Sequence, residues 1–227
     1  MIMTNNTDRD TDLYNIQTFS IDPKNREIYL HSHVDTDEEY GVEFRPAVCF
    51  EKNIRYLNTL SNDPILVHMH MPGGVWEDCF GIFDTITTSS SPIAILAYAK
   101  VESASSVLLQ AAHKRILMPN THVLIHYGSL SIDNEHKAAL SSIAWSEQES
   151  QKMIEIFTDK CLAGPMAQTK NWKRMMVRKH ITSQLDNKSD WILNAREAVE
   201  YGFADGVLGD KSYPTIDSLK VFKKTKK

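Results

Sequence analysis

Three polar side chains stand beside apolar runs of strand length and are candidates for chemistry. Ser103 follows the apolar run 93–98 and begins a predicted helix, whose positive end would favour an activated nucleophile and developing negative charge. His126 ends a second apolar run, and Asp190 comes directly before a third. Taken singly, His126 is more typical of a structural histidine, and Asp190 of a turn or a helix cap. These positions therefore predict a site only if the fold brings them together.

A glycine pair, Gly73 and Gly74, follows the apolar run 65–71 and precedes a predicted helix. Glycine accepts positive φ and lets backbone N–H groups approach a ligand closely. Such N–H groups can bind a phosphate or stabilise an oxyanion. No G-x-x-x-x-G-K-[ST] pattern accompanies the pair, which argues against a nucleotide-binding P-loop. A strand-to-helix turn without any ligand is an equally good interpretation of the pair alone.

The elements that would position these residues alternate between strand and helix. Strands are predicted at 26–34, 65–71, 93–98, 115–118 and 122–127, and helices from residue 48 and at 76–88, 103–112, 133–162 and 172–180. Asn194, with Glu197 three residues later, indicates a capping box, and Gly202 ends the same short helix. This order predicts an α/β fold with right-handed crossovers between parallel strands.

Composition limits the classes of function. The 227 residues, 42% hydrophobic and 24% charged, suffice for one domain with a small appendage. The formal net charge of −4 gives no reason to expect nucleic acid or an anionic membrane as a partner. No signal peptide or bilayer-spanning run is visible, and the three widely spaced cysteines do not suggest a disulfide. We therefore expect a reducing, cytoplasmic setting.

Several motifs follow the same order as in ClpP, the proteolytic subunit of the Clp protease, and the resemblance covers about residues 26–208. They are PGG (72–74), FDTI (83–86), LLQAA after Ser103 (108–112), RILMPNTHVLIH (115–126) and DWILNAREAVEYG (190–202). The fourth resembles the family's R-x-x-L-P-N-S-x-x-M-I-H run. The last resembles its D-x-x-[LM]-S-A-x-E-A-x-E-Y-G motif and is the most specific of the set.

The resemblance implies a role for each candidate residue, carried over position by position. Ser103 would be the nucleophile, His126 the general base and Asp190 the residue that orients the histidine. The backbone N–H groups of Gly74 and Ala104 would form the oxyanion hole.

The implied fold is the α/β spiral shared by ClpP and the crotonases, built from stacked strand-strand-helix units with a protruding handle helix at about 133–162. Residues 1–24 would form a polar N-terminal segment that is flexible or processed. A peptidase domain would follow at 25–210, and a C-terminal tail at 211–227.

The implied function is that of a serine endopeptidase subunit that hydrolyses peptide bonds of unfolded polypeptides inside an oligomeric chamber. The chain would form a homo-oligomer of stacked rings and work with a separate AAA+ Clp unfoldase, because it carries no ATPase motif of its own. No metal or organic cofactor, no nucleic acid and no membrane is implied.

The chain departs from the family's pattern in two places. Glu102 replaces the small residue that usually precedes the nucleophile, and its carboxylate is expected to point away from the triad because adjacent residues do not share a face. Residues 127–131 (YGSLS) replace the usual Q-P and glycine pair, which affects substrate preference and contacts between rings. Two alternatives stay open, namely a catalytically silent ClpP-like ring subunit and a crotonase-type acyl-CoA hydratase or isomerase.

Two helical surfaces also have alternative interpretations. Trp172, Met175 and Met176 form a stripe that we expect to be core rather than a docking surface. The long helix at 133–162 is either a protruding handle or an ordinary two-sided helix packed within a monomer.

Overall fold

The computed structural model describes residues 6–31, 41–129 and 135–222. These ranges leave out the predicted end of the first strand, the first residues of the predicted handle and the last two residues of the YGSLS segment. The elements, in chain order, are α1 (Asn6–Phe19), β1 (Ile21–Asp22), β2 (Glu27–His31), α2 (Phe44–Leu60), β3 (Ile65–Met71), α3 (Trp76–Thr87), β4 (Ile93–Glu102), α4 (Ala104–Leu109), β5 (Lys114–Leu117), β6 (His122–Ile125), α5 (His136–Ala163), α6 (Pro165–Thr169), α7 (Arg174–Lys188), β7 (Trp191–Asn194), α8 (Ala195–Tyr201), β8 (Gly206–Val207) and a final 3-10 turn (Asp217–Lys220).

Parallel pairing dominates the sheet. Strands β2, β3, β4 and β5 lie side by side in parallel, with β8 parallel beyond β5 and β1 antiparallel at the β2 edge. Helices α2, α3 and α4 connect successive parallel strands, because a parallel pair needs a crossover rather than a tight hairpin. The α/β class predicted from the sequence is confirmed.

Strand β4 changes its neighbour halfway along its length. Residues 94–97 pair with β5, whereas residues 100–102 pair with β6. Ala99, with φ 52°, lies between the two stretches and marks the irregularity. The sequence predicted that this strand ends at Tyr98. Pairing with β6 extends it to Glu102, one residue before Ser103.

The two faces of the sheet are covered unequally. On one face, a large core joins alternate strand residues such as Val67 and Met69 to buried side chains of the helices, among them Ile54, Leu108 and Phe157. The other face carries a smaller cluster that consists of Leu66, Ala94, Leu96, Ile116 and Leu219. The last of these belongs to the predicted C-terminal tail, so part of that segment packs on the sheet.

Helix α5 is buried only in its C-terminal half. Its buried residues run from Met153 to Cys161, although the helix begins at His136. Leu140, Ile143 and Trp145 in the other half are 55%, 49% and 58% exposed. The N-terminal half therefore projects from the domain, as the predicted handle should.

Two helices, α1 and α7, differ from what the sequence predicted. The N-terminal segment contains α1, and α7 extends to Lys188 rather than ending near His180. Met175 and Met176 are 82% and 52% exposed, so the prediction that they belong to the core is wrong. Helix α7 buries a different stripe, formed by Val177, Ile181 and Leu185.

In the described residues, no helix is both long and apolar enough to cross a membrane.

Candidate active site

Strand register explains how residues far apart in sequence meet. Glu102 at the end of β4 pairs in parallel with Leu124 of β6, so Ser103 and His126 leave the sheet at the same edge. Strand β7 is antiparallel to β6 and pairs Trp191 with Ile125. Asp190, which precedes Trp191, therefore lies beside the end of β6. The carboxyl ends of parallel strands are where open α/β sheets bind ligands.

The three predicted residues come together with hydrogen-bonding geometry. His126 Nε2 lies 2.7 Å from Ser103 Oγ. His126 Nδ1 lies 3.3 Å from Asp190 Oδ1, with the histidine side chain 28% and the aspartate side chain 56% exposed. A histidine placed between a hydroxyl and a carboxylate can accept the hydroxyl proton while the carboxylate holds the ring in the required tautomer.

The backbone of Ser103 is strained in a way that presents its side chain. Its φ of 54° and ψ of −127° are unusual for a residue other than glycine. The Ser103 N–H donates to the Leu124 carbonyl at 2.9 Å, and the Ser106 hydroxyl donates to the Ser103 carbonyl at 2.6 Å. These bonds hold a sharp turn between β4 and α4. Comparable strand-to-helix turns expose nucleophilic serines in other hydrolases.

The glycine pair lies directly against this turn. A Cβ atom on Gly73, whose φ is 108°, would lie 2.7 Å from Ser103 Cβ and 3.4 Å from the Ala104 nitrogen. The N–H groups of Gly74 and Ala104 donate to no acceptor in the described part of the chain. Two free backbone donors beside a nucleophile can stabilise an oxyanion. Helix α4 begins at Ala104 and has only six residues, shorter than the predicted helix at 103–112.

A cleft of about 890 Å³ opens in front of Ser103. Its walls come from the start of α3, from the segment after His126 and from the projecting half of α5. Tyr127 stands at this cleft and donates to Asp186 Oδ1 at 3.0 Å. Burial, together with the Asp186 carboxylate, raises the pKa of Tyr127 to about 12, so this phenol stays protonated at neutral pH.

The α5 side of the cleft was not anticipated from the sequence. Residues such as Ser142, Ser146 and Glu149 recur at helical spacing and face the cleft. This polar stripe was a usable signal, but nothing in the sequence indicated which surface it faces.

Cys79 lies beneath the site, where burial raises the pKa of its thiol to about 12 and its Sγ donates to the Ala104 carbonyl. It is therefore unsuited to act as a nucleophile.

Known proteins are similar to this chain in sequence and in fold. The chain is 29% identical over 170 residues to the ATP-dependent Clp protease proteolytic subunit 2 of Pseudomonas aeruginosa, which covers 74% of this chain and 77% of that protein. It is 32% identical over 158 residues to the subunit of the same name from Treponema denticola. That match covers 67% of this chain and 72% of that protein.

Among solved structures, a ClpP1 mutant from Listeria monocytogenes superposes with a TM-score of 0.65 at 19% identity, covering 87% of this chain and 96% of that chain. This likeness confirms the predicted ClpP fold. Residues 24–211 match the sequence pattern of the Clp protease family. The chain therefore belongs to the Clp protease family.

Proposed function

We propose that this chain is an active serine endopeptidase subunit, with Ser103 as nucleophile, His126 as general base and Asp190 as the residue that orients the histidine. The 2.7 Å contact between His126 Nε2 and Ser103 Oγ carries the proposal, because it places the base on the hydroxyl it would deprotonate. The family match favours a peptidase over a crotonase-type acyl-CoA enzyme.

The proposed reaction proceeds through an acyl-enzyme. Ser103 Oγ attacks the carbonyl carbon of a peptide bond while its proton passes to His126 Nε2. The N–H groups of Gly74 and Ala104 would hold the negative oxygen of the tetrahedral intermediate. His126 then gives the proton to the leaving amine, the C–N bond breaks, and a water molecule hydrolyses the ester by the same steps. Asp190 would stabilise the imidazolium.

The proposal extends to assembly and partners. We propose a homo-oligomer of stacked rings, supplied with unfolded polypeptides by a separate AAA+ Clp unfoldase in the cytoplasm. The relatives are named as proteolytic subunits of an ATP-dependent protease, which supports a separate energy-consuming partner. The exposed apolar residues Leu140 and Ile143 on the projecting half of α5 support a further protein contact.

One observation favours a second candidate, the catalytically silent ring subunit. The Asp190 carboxylate is 56% exposed and lies 3.3 Å from His126 Nδ1, so water competes with it for the histidine. Weak orientation of His126 would leave Ser103 without an effective base. The two candidates differ in whether Ser103 reacts.

Intact-mass analysis after treatment with a fluorophosphonate separates the candidates. We expect one covalent adduct on the native chain, none on Ser103→Ala, and a rate at least 100-fold lower on His126→Ala. Ser90→Ala, which changes an exposed serine in the loop before β4, is the matched control and should label like the native chain. An unlabelled native chain that is folded by circular dichroism would overturn the proposal and favour the silent subunit.

A further inference from the structure

The cleft in front of Ser103 is lined by small and polar side chains where it meets the reacting hydroxyl. Gly73 and Ala104 line it beside Ser103, and Ser142 and Ser146 of α5 line it from the facing wall. Larger side chains, among them Trp76, Tyr127 and Met153, also line the cleft, and about 890 Å³ stays open between its walls. The cleft therefore has room for a long substrate side chain next to the bond that Ser103 would attack.

Two carboxylates line the same cleft from opposite walls. Glu77 belongs to the first turn of α3, and Glu149 lies on the α5 stripe, seven residues after Ser142. Neither forms an ion pair with another described residue, and no lysine or arginine lines the cleft in the described ranges. The described lining of the cleft is thus acidic, and the cation that acts on Glu149, Lys152, lies outside that lining.

The immediate surroundings of Glu149 add to the acidic character of the cleft. Burial raises the pKa of Glu149, and the nearby Glu77 raises it further, whereas Trp145 and Lys152 lower it. Lys152 does not line the cleft, because its ammonium lies 3.4 Å from the centre of the Phe80 ring. Glu149 therefore lies in a partly desolvated position near a second carboxylate, where an incoming cation would be favourable.

The Trp145 indole adds a second means of binding a cation. Trp145 is 58% exposed, lies one turn before Glu149 on α5 and also lines the cleft. Aromatic faces attract ammonium and guanidinium groups, and indole does so most strongly. An aromatic ring beside a pair of carboxylates is suited to the apolar stem and charged end of lysine or arginine.

Building on the proposed function, we propose that the cleft selects lysine or arginine at the substrate residue whose carbonyl Ser103 attacks. Glu149 and Glu77 would bind the cationic end and Trp145 would cover the stem. A neutral side chain would leave the partly desolvated Glu149 carboxylate without compensation, and an acidic one would be repelled by both glutamates.

Binding to the Ser103→Ala variant tests the selection independently of catalysis. Fluorescent peptides that differ only at the selected residue, arginine against norleucine or glutamate, are titrated by anisotropy. We expect arginine to bind about tenfold more tightly than norleucine, a preference typical of a partly buried charge-assisted contact. Adding Glu149→Gln should reduce the preference to about threefold or less, and Glu77→Gln should reduce it independently.

Glu147→Gln is the matched control, since Glu147 is an exposed α5 residue that does not line the cleft, and it should leave the preference unchanged. Equal binding of the arginine and norleucine peptides, or a preference that survives both cleft substitutions, would overturn the inference. Fluorophosphonate labelling of the native chain separates the two proposals. Labelling without an arginine preference refutes only the selection, whereas an arginine preference without labelling refutes only the peptidase.

Discussion

Glu102, which directly precedes the candidate nucleophile, accepts a hydrogen bond from His122 Nε2 at 2.7 Å. Ser103 Oγ instead lies against the other histidine, His126, at 2.7 Å. Both ring nitrogens of His126 already face other groups, namely Ser103 and Asp190. The unusual acidic residue is therefore engaged outside the candidate triad.

This arrangement predicts that the two neighbouring carboxylates matter very differently. Glu102→Gln should change the rate of fluorophosphonate labelling by less than about threefold, whereas Asp190→Asn should slow it roughly 100-fold or more, because the histidine loses its orienting charge. The measurement is the second-order rate of adduct formation at pH 7. Equal losses in the two variants would mean that Glu102, and not only Asp190, acts on His126.

Gly73 should resist substitution for two separate reasons. Its φ of 108° strains any other residue, and a Cβ would lie 2.7 Å from both the Glu102 carbonyl oxygen and Ser103 Cβ. We expect Gly73→Ala to lower the free energy of unfolding by about 2–4 kcal/mol and to abolish Ser103 labelling. Urea unfolding followed by circular dichroism measures the first effect.

Gly209→Ala is the matched control for the Gly73 substitution. Gly209 has a similar φ of 95°, but a Cβ there would meet nothing within 4 Å. Only the backbone strain should remain, at about 1 kcal/mol. Similar losses in the two variants would show that crowding against Ser103 contributes little.

The Glu27 carboxylate should make stability depend on pH. Burial by itself would raise the pKa of Glu27, but hydrogen bonds from His68 and Lys220 outweigh it and lower the pKa to about 2. Because this pKa is lower in the folded chain than the ordinary value of 4.5, the stabilisation is fully present above pH 4.5 and is lost as the pH falls towards 2.

Glu27→Gln is therefore expected to destabilise the chain by about 1–3 kcal/mol at pH 7, and the difference from the native chain should shrink below pH 4. Chemical denaturation at a series of pH values is the measurement. Glu200→Gln, at an exposed position of α8, should stay within about 0.5 kcal/mol throughout. A Glu27→Gln difference that is independent of pH would contradict the assigned hydrogen bonds.

The capping box at the start of α8 should contribute measurably to stability. The Asn194 side chain accepts from the Arg196 and Glu197 N–H groups, and the Glu197 side chain accepts from the Asn194 N–H. Asn194→Ala should cost about 0.5–2 kcal/mol. Since Glu197→Ala removes only the reciprocal bond, it should cost less in the same thermal or urea unfolding. A larger loss in Glu197→Ala would refute this ordering of the two bonds.

Local patterns in the sequence were sufficient for most elements and for the identity of the candidate residues. The run at 65–71 predicted the bounds of β3 without error, because it is mostly apolar and of strand length, although His68 is only partly buried and His70 is exposed. The capping box and the left-handed Gly202 could be predicted from the sequence, because helix caps depend on residues within one turn of the helix end. The roles of Ser103, His126 and Asp190 came from the resemblance of several ordered motifs, and they remain proposals.

Only the tertiary structure decided how far apart these groups lie and what surrounds them. The switch of β4 from β5 to β6 cannot be read from residues 93–102, because it depends on hydrogen-bonding partners that come later in the chain. Exposure of Met175 and Met176 depends likewise on which face of α7 meets α5 and β7. The charge of the cleft requires Glu77 and Glu149 to face each other across it. Such long-range relationships follow from packing between elements, which no short window of sequence contains.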